Sequence, residues 1–180
     1  MKILILFASS EGQTRKIARF IAERLDAQGH ETVSVDAAEV GTEFQMPMVD
    51  AVIVAASVHV GTYQKSVVGI VEANRPILDA VPTAFVSVSL AASGGPADLK
   101  DAEACAGRFS EKTGWAPGRV EHVAGTLAYS QYNFVTRWMM WFIARRHGLP
   151  TDRRHDTELT DWAAVERFAD SFGRGLQPPE

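Results

Sequence analysis

The chain has 180 residues and a mass of 19.6 kDa, with 46% apolar and 22% charged residues, so one globular domain is expected and intrinsic disorder is excluded. A single cysteine, Cys105, excludes a disulfide framework and every multi-cysteine zinc or iron–sulfur site. The net charge of −4 and pI of about 5.7 argue against a dedicated nucleic-acid binder.

In chain order, Lys2 to Ala8 is almost free of polar residues and reads as a fully buried strand. Thr14 to Gln28 places Ile17, Ala18, Ile21, Ala22 and Leu25 on one face and ends at Gly29, which predicts a helix. Glu31 to Asp36 alternates around Val33 and Val35 as a second strand, whereas Ala37 to Pro47 has no clear period and receives no element. Ala51 to Ser57 is a third strand, and Ser66 to Leu78 has helical spacing with Pro76 marking a fraying end. Thr83 to Leu90 predicts a strand, Ala97 to Lys112 a helix, and Val120 to Leu127 a last strand. Thr160 to Phe172 closes the pattern as a helix capped by Thr160 or Asp161.

Strands alternating with helices imply a parallel sheet covered on both faces through right-handed crossovers. Ser9 to Gly12 cuts the first apolar run too early for a signal peptide. The longest uncharged stretch, Ala80 to Ala97, holds Pro82, Gly94, Gly95 and Pro96 and does not suit a transmembrane helix. A cytoplasmic protein is expected, touching a membrane at most from outside.

Ligands of open parallel sheets bind beyond the carboxyl ends of the strands, where strand order reverses. There the first strand gives way to Ser9-Ser10-Glu11-Gly12-Gln13-Thr14 and a helix start. Backbone amides and small hydroxyls at such a position suit an anion. The loop has neither the Gly-Lys-Ser/Thr ending of a nucleotide-triphosphate loop nor three spaced glycines, and fits a single phosphate monoester. A hydroxyl-rich helix cap with no ligand is the plainer alternative.

Ile5, Leu6, Phe7, Ser9, Gly12, Thr14, Ala18 and Ile21 follow the signature offsets of the flavodoxin family, and on these positions the chain resembles that family. The resemblance implies a doubly wound five-stranded parallel sheet of order 2-1-3-4-5 and FMN as cofactor. It implies cofactor contacts at Ser9, Ser10, Glu11, Gly12, Gln13 and Thr14, then at Ser57, His59, Val60, Gly61 and Tyr63, and finally at Ser89, Leu90 and Ala91. Tyr63 or His59 is a candidate to lie against the flavin; the alternatives are a core anchor for Tyr63 and a solvated loop for His59.

A closer resemblance covers Lys2 to Arg174 and rests on Ile5–Ala18, Ala56–Tyr63, Ser87–Leu90, Trp115–Tyr129 and Thr160–Ala169. On these segments the chain is similar to the bacterial flavodoxin-type protoporphyrinogen oxidases, the menaquinone-linked enzymes of haem synthesis. It departs from them at His59-Val60, where an Arg-aromatic pair is expected, and in Ser93–Asp98, which lacks basic residues. The implied activity is oxidation of protoporphyrinogen IX to protoporphyrin IX, with electrons passing through FMN to a membrane quinone. No acid–base side chain stands out as catalytic. A flavodoxin-like electron carrier, an NAD(P)H-dependent FMN quinone reductase and a non-enzymatic FMN-binding module are the alternatives.

A long insert before the last helix, about 128–156, exceeds the usual connection of about 2–6 residues. From His122 to Thr151 there is no Asp or Glu but there are Arg137, Arg145 and Arg146, a charge of +3 that leaves −7 for the rest of the chain. Asn133 to His147 can form a helix with Phe134, Trp138, Trp141 and Phe142 on one face. That face can pack on the domain itself, cover the flavin and a large apolar substrate, or lie on a membrane surface with Trp at the interface. A substrate lid combined with membrane contact through Arg137, Trp138, Trp141 and Arg145 is the favoured reading. Cys105 reads as a small buried residue of a helix and not a nucleophile; His122 and His147 are too isolated for metal ligands, and no metal is expected. Nothing in the sequence fixes the oligomeric state.

Overall fold

The computed structural model describes residues 1–127 and 157–176. The insert expected at about 128–156, with Arg137, Trp138, Trp141 and Arg145, lies outside the described residues. Five parallel strands, β1 (Lys2–Ala8), β2 (Glu31–Asp36), β3 (Ala51–Ser57), β4 (Thr83–Ser89) and β5 (Arg119–Ala124), form a sheet of order β2-β1-β3-β4-β5. This is the doubly wound order expected, with β1 and β3 flanking the reversal point.

Side chains alternate between the two faces of a strand, and both faces here are apolar. Ile3, Ile5 and Phe7 of β1, Ala51, Ile53 and Ala55 of β3, and Ala84, Val86 and Val88 of β4 enter one core. Helices α1 (Gln13–Ala27) and α6 (Trp162–Leu176) close that core with Ile17, Ile21, Leu25, Val165, Phe168 and Phe172. The intervening residues Leu4, Leu6, Val52, Val54 and Phe85 face the opposite core, with Val67, Ile70 and Val71 of α3 (Lys65–Ala73) and Phe109 of α5 (Pro96–Thr113). Cys105 of α5, expected to be buried, is only half-buried.

The two helices of the first core are also clamped by charge. Arg24 of α1 meets both carboxylate oxygens of Asp170 through Nη2 at 3.1 Å and Glu166 through Nη1 at 3.0 Å. Gln28 adds a bond from Nε2 to Asp170 at 3.2 Å.

Several boundaries differ from expectation. The unassigned stretch after β2 begins with a short helix, α2 (Ala37–Val40), because the Asp36 carboxylate accepts from Ala38 N–H at 2.9 Å and caps it. The expected helix 66–78 is two helices, α3 and α4 (Arg75–Leu78), and the break is Asn74 rather than the Pro76 end. Asn74 is buried, and its side chain bonds the carbonyls of Ile70 and Phe44 and the Met46 amide, each at 2.8 Å. Pro76 sits in the first turn of α4, where a missing N–H costs nothing.

The last expected strand, 120–127, also divides. The ladder with β4 ends at Ala124, and Thr126–Leu127 (β6) pairs antiparallel with Thr157–Glu158 (β7). The bond from Leu159 N–H to Gly125 C=O, 3.1 Å, continues that ribbon. Both ends of the insert are thereby stitched together at the carboxyl edge of the sheet. α6 starts at Trp162, and its cap is Asp161, which accepts from Ala164 N–H at 3.0 Å.

Candidate functional site

A pocket of about 450 Å³ opens at the carboxyl ends of β1, β3 and β4, beside the point where strand order reverses. It is lined by Ser9, Ser10, Glu11, Gln13 and Thr14 after β1, Ser57 to Gly61 after β3, Val88 to Ala91 at β4, and Gly125 and Thr126 after β5. The three loops that sequence reasoning singled out therefore meet around one cavity.

The loop after β1 forms the polar end. Gly12 takes φ 86°, a left-handed conformation that favours glycine, and its N–H is held by Ser9 Oγ at 3.0 Å. α1 then begins with no side-chain cap, so the amides of its first turn have no helical acceptor. Thr14, 1% exposed, lines the cavity with a buried Oγ1 that has no hydrogen-bond partner among the described residues. A buried hydroxyl left unpaired is costly. An anion at this pole would satisfy it together with the uncapped amides and the positive end of the helix dipole. The residues present thus fit a phosphate group.

Gln13 is buried, and its Nε2 donates to Thr160 Oγ1 at 2.8 Å, while that hydroxyl donates to Ala124 C=O at 2.7 Å. Gln13 therefore lines the pocket with its amide already committed. Gln64 Nε2 donates to Ser57 Oγ at 2.8 Å and to Ser10 Oγ at 2.9 Å, fastening the loop after β1 to the end of β3. Sequence reasoning missed Gln64 and the structural part of Thr160, since each acts on a segment remote in the chain. It also missed Val58, Val88, Gly125 and Thr126 as lining.

The apolar end lies between two loops. His59 N–H bonds Thr62 C=O at 2.7 Å and Thr62 N–H returns to His59 C=O at 3.1 Å, closing a tight turn with Val60 and Gly61 at φ 50° and 74°. Opposite it, Ala92 N–H donates to Ser89 Oγ at 3.2 Å, and Ser93 Oγ–H to Leu90 C=O at 2.7 Å, bending the chain into a short 3₁₀ turn, Ala91–Ser93.

Of the two candidates to lie against the ring, His59 is exposed in the pocket wall, while Tyr63 points into the core. Tyr63 packs edge-on against Phe85 and Phe109, with centroids 5.2 and 5.0 Å away. Its hydroxyl shares a 2.7 Å hydrogen bond with buried Ser87, and burial pushes its pKa up to about 12. Tyr63 is the core anchor of the two alternatives, and it roots the loop. Gly12 shapes the first loop by its turn and does not line the cavity.

A flavodoxin domain family model matches residues 4–154. A protoporphyrinogen IX dehydrogenase (quinone) from Escherichia coli (strain K12) is 34% identical over 171 residues, 94% of this chain and 93% of the relative. One of the same name from Leishmania major is 30% identical, covering 95% of this chain and 74% of the relative. In fold, the chain is similar to oxidised flavodoxin 1 from Bacillus cereus, with a TM-score of 0.54, 16% identity and coverage of 98% and 100% of the two chains. With a family model matching residues 4–154 and a 34% identical relative covered over 93% of its length, the chain belongs to the flavodoxin family, in the group of the protoporphyrinogen IX dehydrogenases (quinone).

Proposed function

We propose that the protein binds FMN and oxidises protoporphyrinogen IX to protoporphyrin IX, delivering the electrons to a membrane quinone. The observation that carries the proposal is the 34% identity over 93–94% of both chains to a relative named for that reaction. When bound, FMN would supply the two-electron chemistry, used three times per porphyrinogen, with three quinones taking up the six electrons and the protons exchanging with solvent. The chain's own residues bind, orient and shield.

Thr14 Oγ–H and the uncapped amides of α1 would hold the phosphate, with Ser9, Ser10 and Glu11 forming the surrounding wall. Ser57, His59, Val60 and Gly61 would hold the ring from one loop and Ser89, Leu90 and Ala91 from another, with the amides at Gly61 and Ala91 available as donors to it. Gln64 fastens the loop after β1 to the end of β3, and Tyr63 fastens the loop after β3 to β4 through Ser87, which limits reorganisation during the reaction. None of these groups needs to transfer a proton.

The insert is the substrate and membrane element of the proposal, through Arg137, Trp138, Trp141 and Arg145. Its support is the β6–β7 ribbon, which brings both of its ends to the pocket edge. The test is porphyrin fluorescence produced from protoporphyrinogen by the flavin-loaded protein, with and without menaquinone. Quinone-dependent production above the air-oxidation rate is expected. Flavin reduction by NAD(P)H alone, or no porphyrin above air oxidation, rejects the proposal in favour of a reductase or a one-electron carrier.

A further inference from the structure

We propose that Arg108 anchors a carboxylate of the substrate at the rim of the pocket, beside an apolar lip made by Val60. This rests on the porphyrinogen reading and adds a specificity residue to it. A cavity of about 450 Å³ accommodates one cofactor-sized ligand, so a tetrapyrrole must lie across its mouth.

The His59–Thr62 turn forms part of that mouth. Val60 is β-branched yet holds φ 50°, a strained conformation for such a side chain. It is also 84% exposed, so little packing within the protein offsets the strain. An apolar side chain held outward at a functional rim is suited to contact made with a ligand.

Arg108 of α5 stands next to this lip. Its Nη2 reaches Gly61 C=O at 3.4 Å and Cys105 Sγ at 3.0 Å, and Cys105 Sγ–H adds a long contact to the same carbonyl at 3.7 Å. Arg15, Arg24, Arg75 and Arg119 each pair with a carboxylate. Arg108 is exposed and has no carboxylate within ion-pair distance among the described residues. A guanidinium has five donors, and two long or soft contacts leave most of them to solvent. That fork matches a carboxylate in bidentate geometry. A porphyrinogen carries two propionates on one edge of an apolar macrocycle, and the rim offers an apolar lip and a cation side by side.

The test uses the flavin-loaded full chain as wild type, Arg108→Ala and Arg108→Lys. Binding of protoporphyrin IX and of its dimethyl ester is read from the change in porphyrin fluorescence. In parallel, kcat and KM are measured for the two corresponding porphyrinogens, per bound flavin. Arg108→Ala is expected to raise Kd and KM for the diacid about tenfold, so that the preference for diacid over diester falls by the same factor. Arg108→Lys is expected to recover part of that preference. An equal preference in wild type and Arg108→Ala overturns the inference even if the enzyme turns over normally. Arg108-dependent binding of the diacid without any porphyrin production overturns the proposed function and leaves the anchor standing. Absence of both binding and turnover overturns both.

Discussion

Thr14 is a residue whose role in the free protein conflicts with its role in binding. Its hydroxyl is buried and unpaired, a liability of about 1–3 kcal/mol that a bound phosphate would remove. Thr14→Val keeps the shape and deletes the hydroxyl. The flavin-free variant is expected to be more stable than wild type by about 1 kcal/mol, while FMN affinity falls about tenfold. Thermal melts with and without FMN check both halves, and riboflavin, which has no phosphate, should bind the two proteins alike.

Tyr63 gives the corresponding prediction for pH. The folded protein keeps its phenolic proton to about 12, whereas the unfolded chain loses it near the ordinary 10. Between those values the unfolded state binds fewer protons, so stability falls as pH rises. The loss amounts to roughly 2–3 kcal/mol across that window at 1.36 kcal/mol per unit. Tyr63→Phe should cost about 1–2 kcal/mol at neutral pH by leaving Ser87 Oγ unpaired, and should flatten that part of the alkaline slope. Urea unfolding at neutral pH and in the alkaline window measures both effects.

Among the elements, α6 depends most on a partner remote in sequence. It docks on α1 through the shared apolar core and the Arg24–Asp170–Glu166–Gln28 cluster. These groups are partly exposed, so solvent screens them and Arg24→Ala is expected to cost about 1 kcal/mol. A fall in the urea midpoint with an unchanged slope is the expected result. A changed slope would mean that α6 no longer unfolds together with the sheet. The helix core was legible because Ile17, Ile21 and Leu25 obey one period, and the first strand because Lys2 to Ala8 is an almost unbroken apolar run. The interruptions at Asn74 and Gly125 were not. Asn74 breaks its helix by serving Met46 and Phe44, and at Gly125 the N–H still bonds Ser89 C=O of β4 while the C=O accepts from Leu159 N–H, so the chain passes there from the sheet to the Thr157–Leu159 segment.

At the scale of the whole molecule, no described helix is long and apolar enough to cross a membrane. The proposed function assigns contact with a membrane quinone to surface binding by the insert. Three arginines near an anionic surface contribute about 1 kcal/mol each, so apolar burial by tryptophan has to add to them. Sedimentation with anionic vesicles should therefore recover more wild type than Trp138→Ala/Trp141→Ala. Equal recovery would remove membrane contact from the function.

The sequence by itself determined the strands of the sheet and the polar turn after β1. Continuous burial of β1, β3 and β4 requires apolar runs, and the turn after β1 requires a glycine with flanking hydroxyls, so each leaves a local mark. Tertiary structure alone decided which side chains face the ligand. Tyr63 turns inward because Phe85, Phe109 and Ser87 offer it a packed and hydrogen-bonded place. Gln64 ties the loop after β1 to the end of β3, and Arg108 reaches Gly61 from a helix 47 residues on. Such choices depend on partners brought together by the fold, and sequence periodicity records only the neighbours along the chain.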